Sequence, residues 1–223
     1  MPFTRAERAL IARLNTPSKV QRWLNALPYN TERDGETQHS FRLVVRLKMA
    51  HCMEAALFAA VVLEQHGYPP LLMSLESKDW LDHVIFVYRH RTGWGAVARS
   101  RDPGLHGRKP RFRSLRALAR SYYDGYVDHT GRLRGFGVAD LRQTLPNYDW
   151  RLSDRNVWKV EQMLIDLPHK KIASSDRRYR RLLRRYKAYR RTHNDRKPIY
   201  YRGREKWEPL PRQFTASGTS GRP

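Results

Sequence analysis

Apolar and polar positions change period several times along the chain, and each change marks an element. Val20, Trp23, Leu24 and Leu27 recur at helical spacing behind a Thr16-Pro17 start. This predicts an amphipathic helix over about residues 17–27, ended by Pro28. A polar connection follows, from Tyr29-Asn30-Thr31 through Gly35 to about His39. Between Ser40 and Met49, Phe41, Leu43, Val44, Val45 and Leu47 are mixed with Arg42, Arg46 and Lys48, which reads as a helix or an extended lead-in. From Ala50 to Gly67 nearly every side is apolar, the pattern of a helix inside the core. Gly67, with Pro69 and Pro70 behind it, stops that helix.

Beyond Gly67 the period shortens. Leu71–Leu75 is a short apolar run, and Leu81–Tyr88 is β-branched and aromatic on both faces, as in an interior strand. Arg91-Thr92-Gly93 supplies a turn in which Gly93 can take a positive φ, and Trp94–Ser100 completes a hairpin. Gly95 inside the last run marks weaker packing or a bulge. Ser114–Tyr123 reads as a helix with Leu115, Leu118 and Tyr122 on one face. Residues 125–137 read as turn-rich and 140–148 as irregular or a short helix. Asp154 reads as the N-cap of a helix through about Leu167, stopped by Pro168.

At Lys170 the composition shifts. Ser175 or Asp176 can cap a helix whose apolar stripe is Tyr179, Leu182, Leu183 and Tyr186, with arginines on the other faces. Lys197 to Pro211 reads as an extended arm, with Tyr200, Tyr201 and Trp207 available to dock. The small, polar run 215–223 has the composition of a disordered tail. The pattern thus divides the chain into an α+β unit over 1–168, a basic helix and arm over 169–214, and a tail.

Composition narrows the function classes. With 223 residues, 40% hydrophobic content and 11% aromatics, the chain can fold around a substantial core. A single cysteine excludes an intramolecular disulfide framework and suits a reducing compartment, so a cytoplasmic location is expected. No run has the form of a secretory signal or the length of a bilayer span. The formal charge of +23 predicts attraction to polyanions, whether nucleic acid, an anionic membrane surface or an acidic protein. Arg177, Arg178, Arg181, Arg184 and Arg185 could contact phosphates, with Tyr179, Tyr186 and Tyr189 as stacking groups. The plain alternative is a solvated face with its tyrosines packed inward. No histidine pair has helical ligand spacing, there is no second cysteine, and no glycine-rich phosphate loop occurs, so neither metal nor cofactor is expected. Oligomeric state has no legible signal.

The chemistry centres on Cys52. It lies in the first turn of the buried helix, where free N–H groups and the helix dipole favour a thiolate. The hairpin offers it a base. With Thr92-Gly93 as the turn, His83 pairs with Asp102; with Arg91-Thr92 as the turn, His83 faces Ser100 and Asp102 is its diagonal neighbour. Either register puts His83 and Asp102 on one face, whereas a three-residue turn separates them. Cysteine, histidine and carboxylate together suit nucleophilic attack on an acyl carbon. Each residue alone also has a plain role: a small buried hydrophobe, a satisfied strand histidine, and an Asp-Pro-Gly turn.

His51-Cys52-Met53-Glu54-Ala55-Ala56-Leu57 opening a helix, Asp82-His83-Val84 on a strand and Arg101-Asp102-Pro103 after the next strand resemble the transglutaminase-like branch of the papain-like cysteine enzymes. The resemblance covers about residues 17–105. It implies an α+β fold with a helix packed on an antiparallel sheet, Cys52 as nucleophile, His83 as general base and Asp102 as its orienter. Two departures stand out: Val84 and Ile85 replace the aromatic that often follows the family's histidine, and Asp102 is flanked by Arg101 and Pro103-Gly104. An oxyanion needs further donors. The Cys52 N–H is the first, and the loop before the helix offers Asn30, or else Tyr29, as the second. The expected activity is attack on a peptide or other amide, with water or an amine as acceptor. The alternative is a non-catalytic module holding nucleic acid or an acidic partner through its basic C-terminal region.

Overall fold

A computed structural model describes residues 2–199 and 203–215. The chain opens with helices α1 (Arg5–Arg13), α2 (Pro17–Asn25), α3 (Phe41–Leu47) and α4 (Cys52–Glu64). Every residue of α4 from Met53 to Leu63 is buried, as its all-round apolar sequence requires. Trp23 of α2 stacks on Phe58 with ring centroids 4.2 Å apart, and Phe41 of α3 meets Phe58 at 5.3 Å. Thr16 and Ser40 cap α2 and α3 by accepting from Lys19 N–H and Leu43 N–H.

Six strands follow: β1 (Leu71–Ser77), β2 (His83–His90), β3 (Gly93–Val97), β4 (Arg108–Phe112), β5 (Leu133–Asp140) and β6 (Lys170–Lys171). They form one antiparallel sheet in the order β4-β3-β2-β1-β5-β6. The fold is therefore mixed α+β, with helices α5 (Leu115–Arg120), α6 (Leu141–Thr144), α7 (Trp158–Ile165), α8 (Asp176–Thr192) and α9 (Arg212–Thr215) completing it. Side chains alternate between two cores. Leu72, Val84, Phe86 and Tyr88 pack in the core containing α4. Met73, Leu75, Ile85 and Val87 pack in the other, with Leu118 of α5 and with Tyr179, Leu182 and Leu183 of α8.

Several elements differ from the expected pattern. Thr4 and Glu7 form a capping box that starts α1, where no helix was predicted. The run 125–137 contains the start of β5, because Gly135 and Gly137 are not turn residues. A Cβ at Gly137 would lie 2.6 Å from Leu167 Cδ2, and one at Gly135 would crowd Glu76 and His169. These glycines let chain pass close over the strand. Asp154 does not cap α7 but pairs with Arg46 at 3.0 Å. The stretch before α7 is instead tied to the lead-in of α3: Ser40 Oγ donates to Ser153 O at 2.6 Å, and Val157 N–H to Gln38 O at 2.7 Å.

The basic region is built onto the same body. β6 pairs with β5, α8 covers the second core, and Trp207 bridges to Arg108. Of the arm's docking aromatics, Tyr200 and Tyr201 lie outside the described residues. So does the expected disordered tail from residue 216 onward, while Thr215 closes α9. No helix among the described residues is long and apolar enough to cross a membrane.

Candidate active site

Cys52 is the first residue of α4, and three elements converge on it. The first is the segment at Tyr29, clipped beside the helix start: Asn30 N–H donates to Ala50 O at 3.3 Å, and Ala50 N–H to Pro28 O at 3.4 Å. The Tyr29 hydroxyl oxygen accepts from the Cys52 N–H and lies beside the thiol. The second is His51, the N-cap of α4. The third is His83, the first residue of β2. Both imidazoles hydrogen-bond the Cys52 side chain.

This pairing decides the protonation of the site. Burial works to raise the Cys52 pKa, but the hydrogen bonds and charges of His51 and His83 outweigh it and hold the thiol well below its ordinary value. Burial works in the opposite sense on His51, yet its bond to Cys52 and the charges of Cys52 and Glu54 push it up to about 9. The His51 Nε2–H donates to Thr37 O at 2.8 Å. Its Nδ1 lies 3.3 Å from the Met53 N–H, from which it accepts when neutral; once protonated, it can donate to the thiolate.

His83 Nε2 lies 2.8 Å from Leu105 O. Since a carbonyl only accepts, Nε2 carries a proton and Nδ1 remains for the thiol. The orienter of His83 is thus a backbone carbonyl, which corrects the assignment to Asp102. The physical cause lies in the hairpin. Its turn is Arg91-Thr92, so His90 pairs with Gly93, a register that continued further would set His83 against Ser100. The last pair, however, is Phe86 with Val97. On the other edge of β3, at Ala98, the side chain of Gln21 from α2 takes the place of β4. Ala98 N–H donates to Oε1 at 2.9 Å, and Gln21 Nε2 donates to Ala98 O at 2.8 Å. The chain then leaves the sheet, and Asp102 instead forms an ion pair with Lys197.

The departing loop is held firmly at Leu105. His106 Nε2 donates to Ser100 O at 2.7 Å, and burial, with Arg99 near, keeps His106 neutral by lowering its pKa to about 3. The buried Arg108 guanidinium donates to Gly104 O and His106 O, each at 2.6 Å, on either side of Leu105. It lies between the Tyr122 and Trp207 rings, at 4.1 and 4.2 Å from their centroids.

Asn30, expected as an oxyanion donor, points elsewhere. Its amide donates to Thr37 Oγ1 at 2.8 Å and to Glu54 at 3.1 Å. Glu54 is fully buried and also accepts from Thr37 Oγ1, His39 N–H and His51 N–H. His39 Nδ1 lies 2.8 Å from it. Burial alone would raise Glu54, but these donors and the His51 charge lower it to about 2. Tyr29 is the residue of this loop that faces the thiol. His51 and Glu54 were the functional residues missed; their i, i+3 spacing is that of a capping box with histidine in the place usual for serine or threonine.

Cys52 is partly exposed at the junction of two hollows, of about 210 and 340 Å³, which share Glu32, His51, Cys52, Leu81 and Asp82. The arrangement can present a thiolate to a ligand in either hollow, with a hydroxyl beside it. Among the described residues no group of three or more His, Cys, Asp or Glu is placed to hold a metal ion.

Along α8, Arg177, Arg181, Arg184 and Arg185 are exposed. Arg178 instead turns to Asp124 at 2.7 Å and over the Tyr123 ring at 4.5 Å. The tyrosines expected to stack on bases are engaged within the protein. Tyr179 packs on the second core, Tyr186 is buried, and Tyr189 stacks on His193 at 3.7 Å. Compared with known proteins, the chain matches no protein-family model and no curated protein.

Proposed function

We propose that the protein is a cysteine-dependent acyl-transfer enzyme acting on amides, related in layout to the transglutaminase-like cysteine enzymes. The observation that carries this reading is a lone thiol at the start of a buried helix, bonded to two histidines from separate elements and open to a cleft. The Cys52 thiolate attacks the carbonyl carbon and forms a C–S bond, while the C=O electron pair moves onto oxygen. The Tyr29 O–H, beside the thiol and held by the Cys52 N–H, is the donor offered to that oxyanion. A protonated imidazole gives its proton to the leaving amine as the C–N bond breaks, and the neutral imidazole then activates water to release the acid. His83, fixed through Leu105 O, suits this shuttle, and His51 suits keeping the thiolate charged.

An activated acyl donor tests the reading without knowledge of the natural substrate. With 4-nitrophenyl acetate, a burst of one nitrophenolate per chain is expected, with the acetyl group on Cys52 and slower turnover afterwards. Tyr29→Phe is expected to slow turnover by about 10²-fold. Acetylation of Cys52 no faster than that of a free thiol would overturn the proposal. A second reading, attraction of a polyanion to α8, is favoured by the exposed Arg177, Arg181, Arg184 and Arg185, and it concerns phosphate contact alone since the tyrosines are packed.

A further inference from the structure

The cleft at Cys52 has the opposite charge to the molecule around it. The hollow beside His83 is lined by Glu32, Asp79, Asp82, Asp102 and Asp128 against a single Arg101. The hollow on the other side of Cys52 is lined by Glu32, Glu36, Asp82 and Glu161, with no lysine or arginine. Together they take seven of the chain's 21 acidic residues and one of its 44 basic ones. A random draw from a chain of +23 would give the reverse balance.

Three further observations show what this concentration of charge is suited to meet. The second hollow also carries an apolar rim: Trp80, Leu81 and Ile165 are 78%, 61% and 66% exposed, although each is large and hydrophobic. Trp80 takes a left-handed backbone, φ 63°, which a bulky residue rarely adopts. Apolar walls beneath a ring of carboxylates match the aliphatic stem and charged tip of lysine or arginine, and an exposed indole face adds a cation–π surface. Next, the acids of the second hollow meet no lysine or arginine, and the cation beside them is His51, 3.8 Å from Glu32. Burial raises the carboxyl pKa of Asp82, with Glu76 and Asp79 adding to the effect; burial and the charges of Glu36 and Glu32 do the same to Glu161. Finally, one carboxylate of the first hollow already holds an amine of the chain itself: Asp102 is ion-paired with Lys197.

From this lining we infer that the site takes a cationic acyl substrate, a lysine- or arginine-rich peptide segment whose basic side chains occupy the hollows on both sides of Cys52. The inference rests on the acyl-transfer reading for the role of Cys52, but the charge preference of the cleft can be measured apart from it. The two hollows share Glu32 and Asp82, so a basic segment crossing the thiol meets carboxylates before and after the carbonyl under attack. Meanwhile the positive exterior holds such a segment off the rest of the surface.

Thiol reagents of opposite charge provide the test. The rates of Cys52 modification by the trimethylammonium-ethyl and sulfonatoethyl methanethiosulfonates are compared, and their ratio is divided by that for a free thiol. A cationic preference of at least about tenfold is expected, shrinking with salt and in Glu32→Gln and Asp82→Asn variants. A short lysine peptide amide is expected to protect Cys52, and a glutamate peptide of equal length is not. A corrected ratio of one, or an anionic preference as the overall charge would produce, overturns the inference, and the unmodified protein alone suffices for that result. Slow reaction with both reagents but a preserved cationic ratio supports the inference and counts only against Cys52 as an activated nucleophile.

Discussion

At the scale of residues, the site consists of a thiol whose charge is arranged by its neighbours. Cys52 was legible because only one cysteine exists and it opens an apolar helix; His83 was legible because it begins a strand of a recognisable hairpin. The partner of His83 was not, since a backbone carbonyl leaves no mark in residue type. Asp102 looked like that partner only as long as the hairpin was extended past Val97. Glu54 has a measurable consequence of its own. Its pKa falls from an ordinary 4.5 to about 2 on folding, so the folded state binds its proton more weakly than the unfolded chain. The resulting stability is fully present above about pH 4.5 and is lost as pH falls through about 2, with a size on the order of 3 kcal/mol. Urea unfolding at pH 3, 5 and 7 is expected to show this loss in the native protein. In Glu54→Gln the same decline should be missing, and an unchanged acid slope would exclude Glu54 as its source.

At the scale of elements, one side chain in α2 anchors the chain at the start of the loop that reaches His83. Gln21 takes both polar groups of Ala98 on the edge where β4 pairs with β3, beside the segment that carries Leu105 O to His83. Gln21→Ala leaves a buried N–H and C=O without partners and is expected to cost on the order of 2 kcal/mol in denaturant unfolding. It should also raise the Cys52 pKa, because the loop that orients His83 loses its anchor. A stability loss with an unchanged thiol pKa would show that Leu105 is held without it. The helices α2 and α4 and the strands β1–β3 were readable from period and end signals, because their burial is one-sided or complete, whereas the mixed pattern of α3 fits helix and extended chain alike. The strand β5 was not, because its close-approach glycines look identical to turn glycines in sequence. The short strands β4 and β6 carry Arg108, Lys109, Lys170 and Lys171, and no period survives in so few residues.

At the scale of the whole molecule, charge is segregated: a strongly basic exterior surrounds an acidic cleft. Net charge was plain from composition, but the sorting of acids into one place depends on the fold bringing together residues as distant as Glu32 and Glu161. On the second reading proposed above, the exposed arginines of α8 would be the phosphate contacts. Changing Arg177, Arg181 and Arg184 to glutamate is expected to weaken nucleic-acid binding and to flatten its salt dependence, by about one log unit of slope for each phosphate no longer neutralised. Unaltered salt dependence would assign the binding to other basic surfaces.

All of these scales meet in the ionisation of Cys52, and the pH dependence of its alkylation by iodoacetamide measures that directly. The rate is expected to rise through an inflection well below the ordinary thiol value of about 8.5. At neutral pH it should exceed that of free cysteine, and His83→Ala or His51→Ala should move the inflection upward. An inflection at or above the ordinary value, indifferent to both substitutions, would contradict Cys52 as an activated nucleophile.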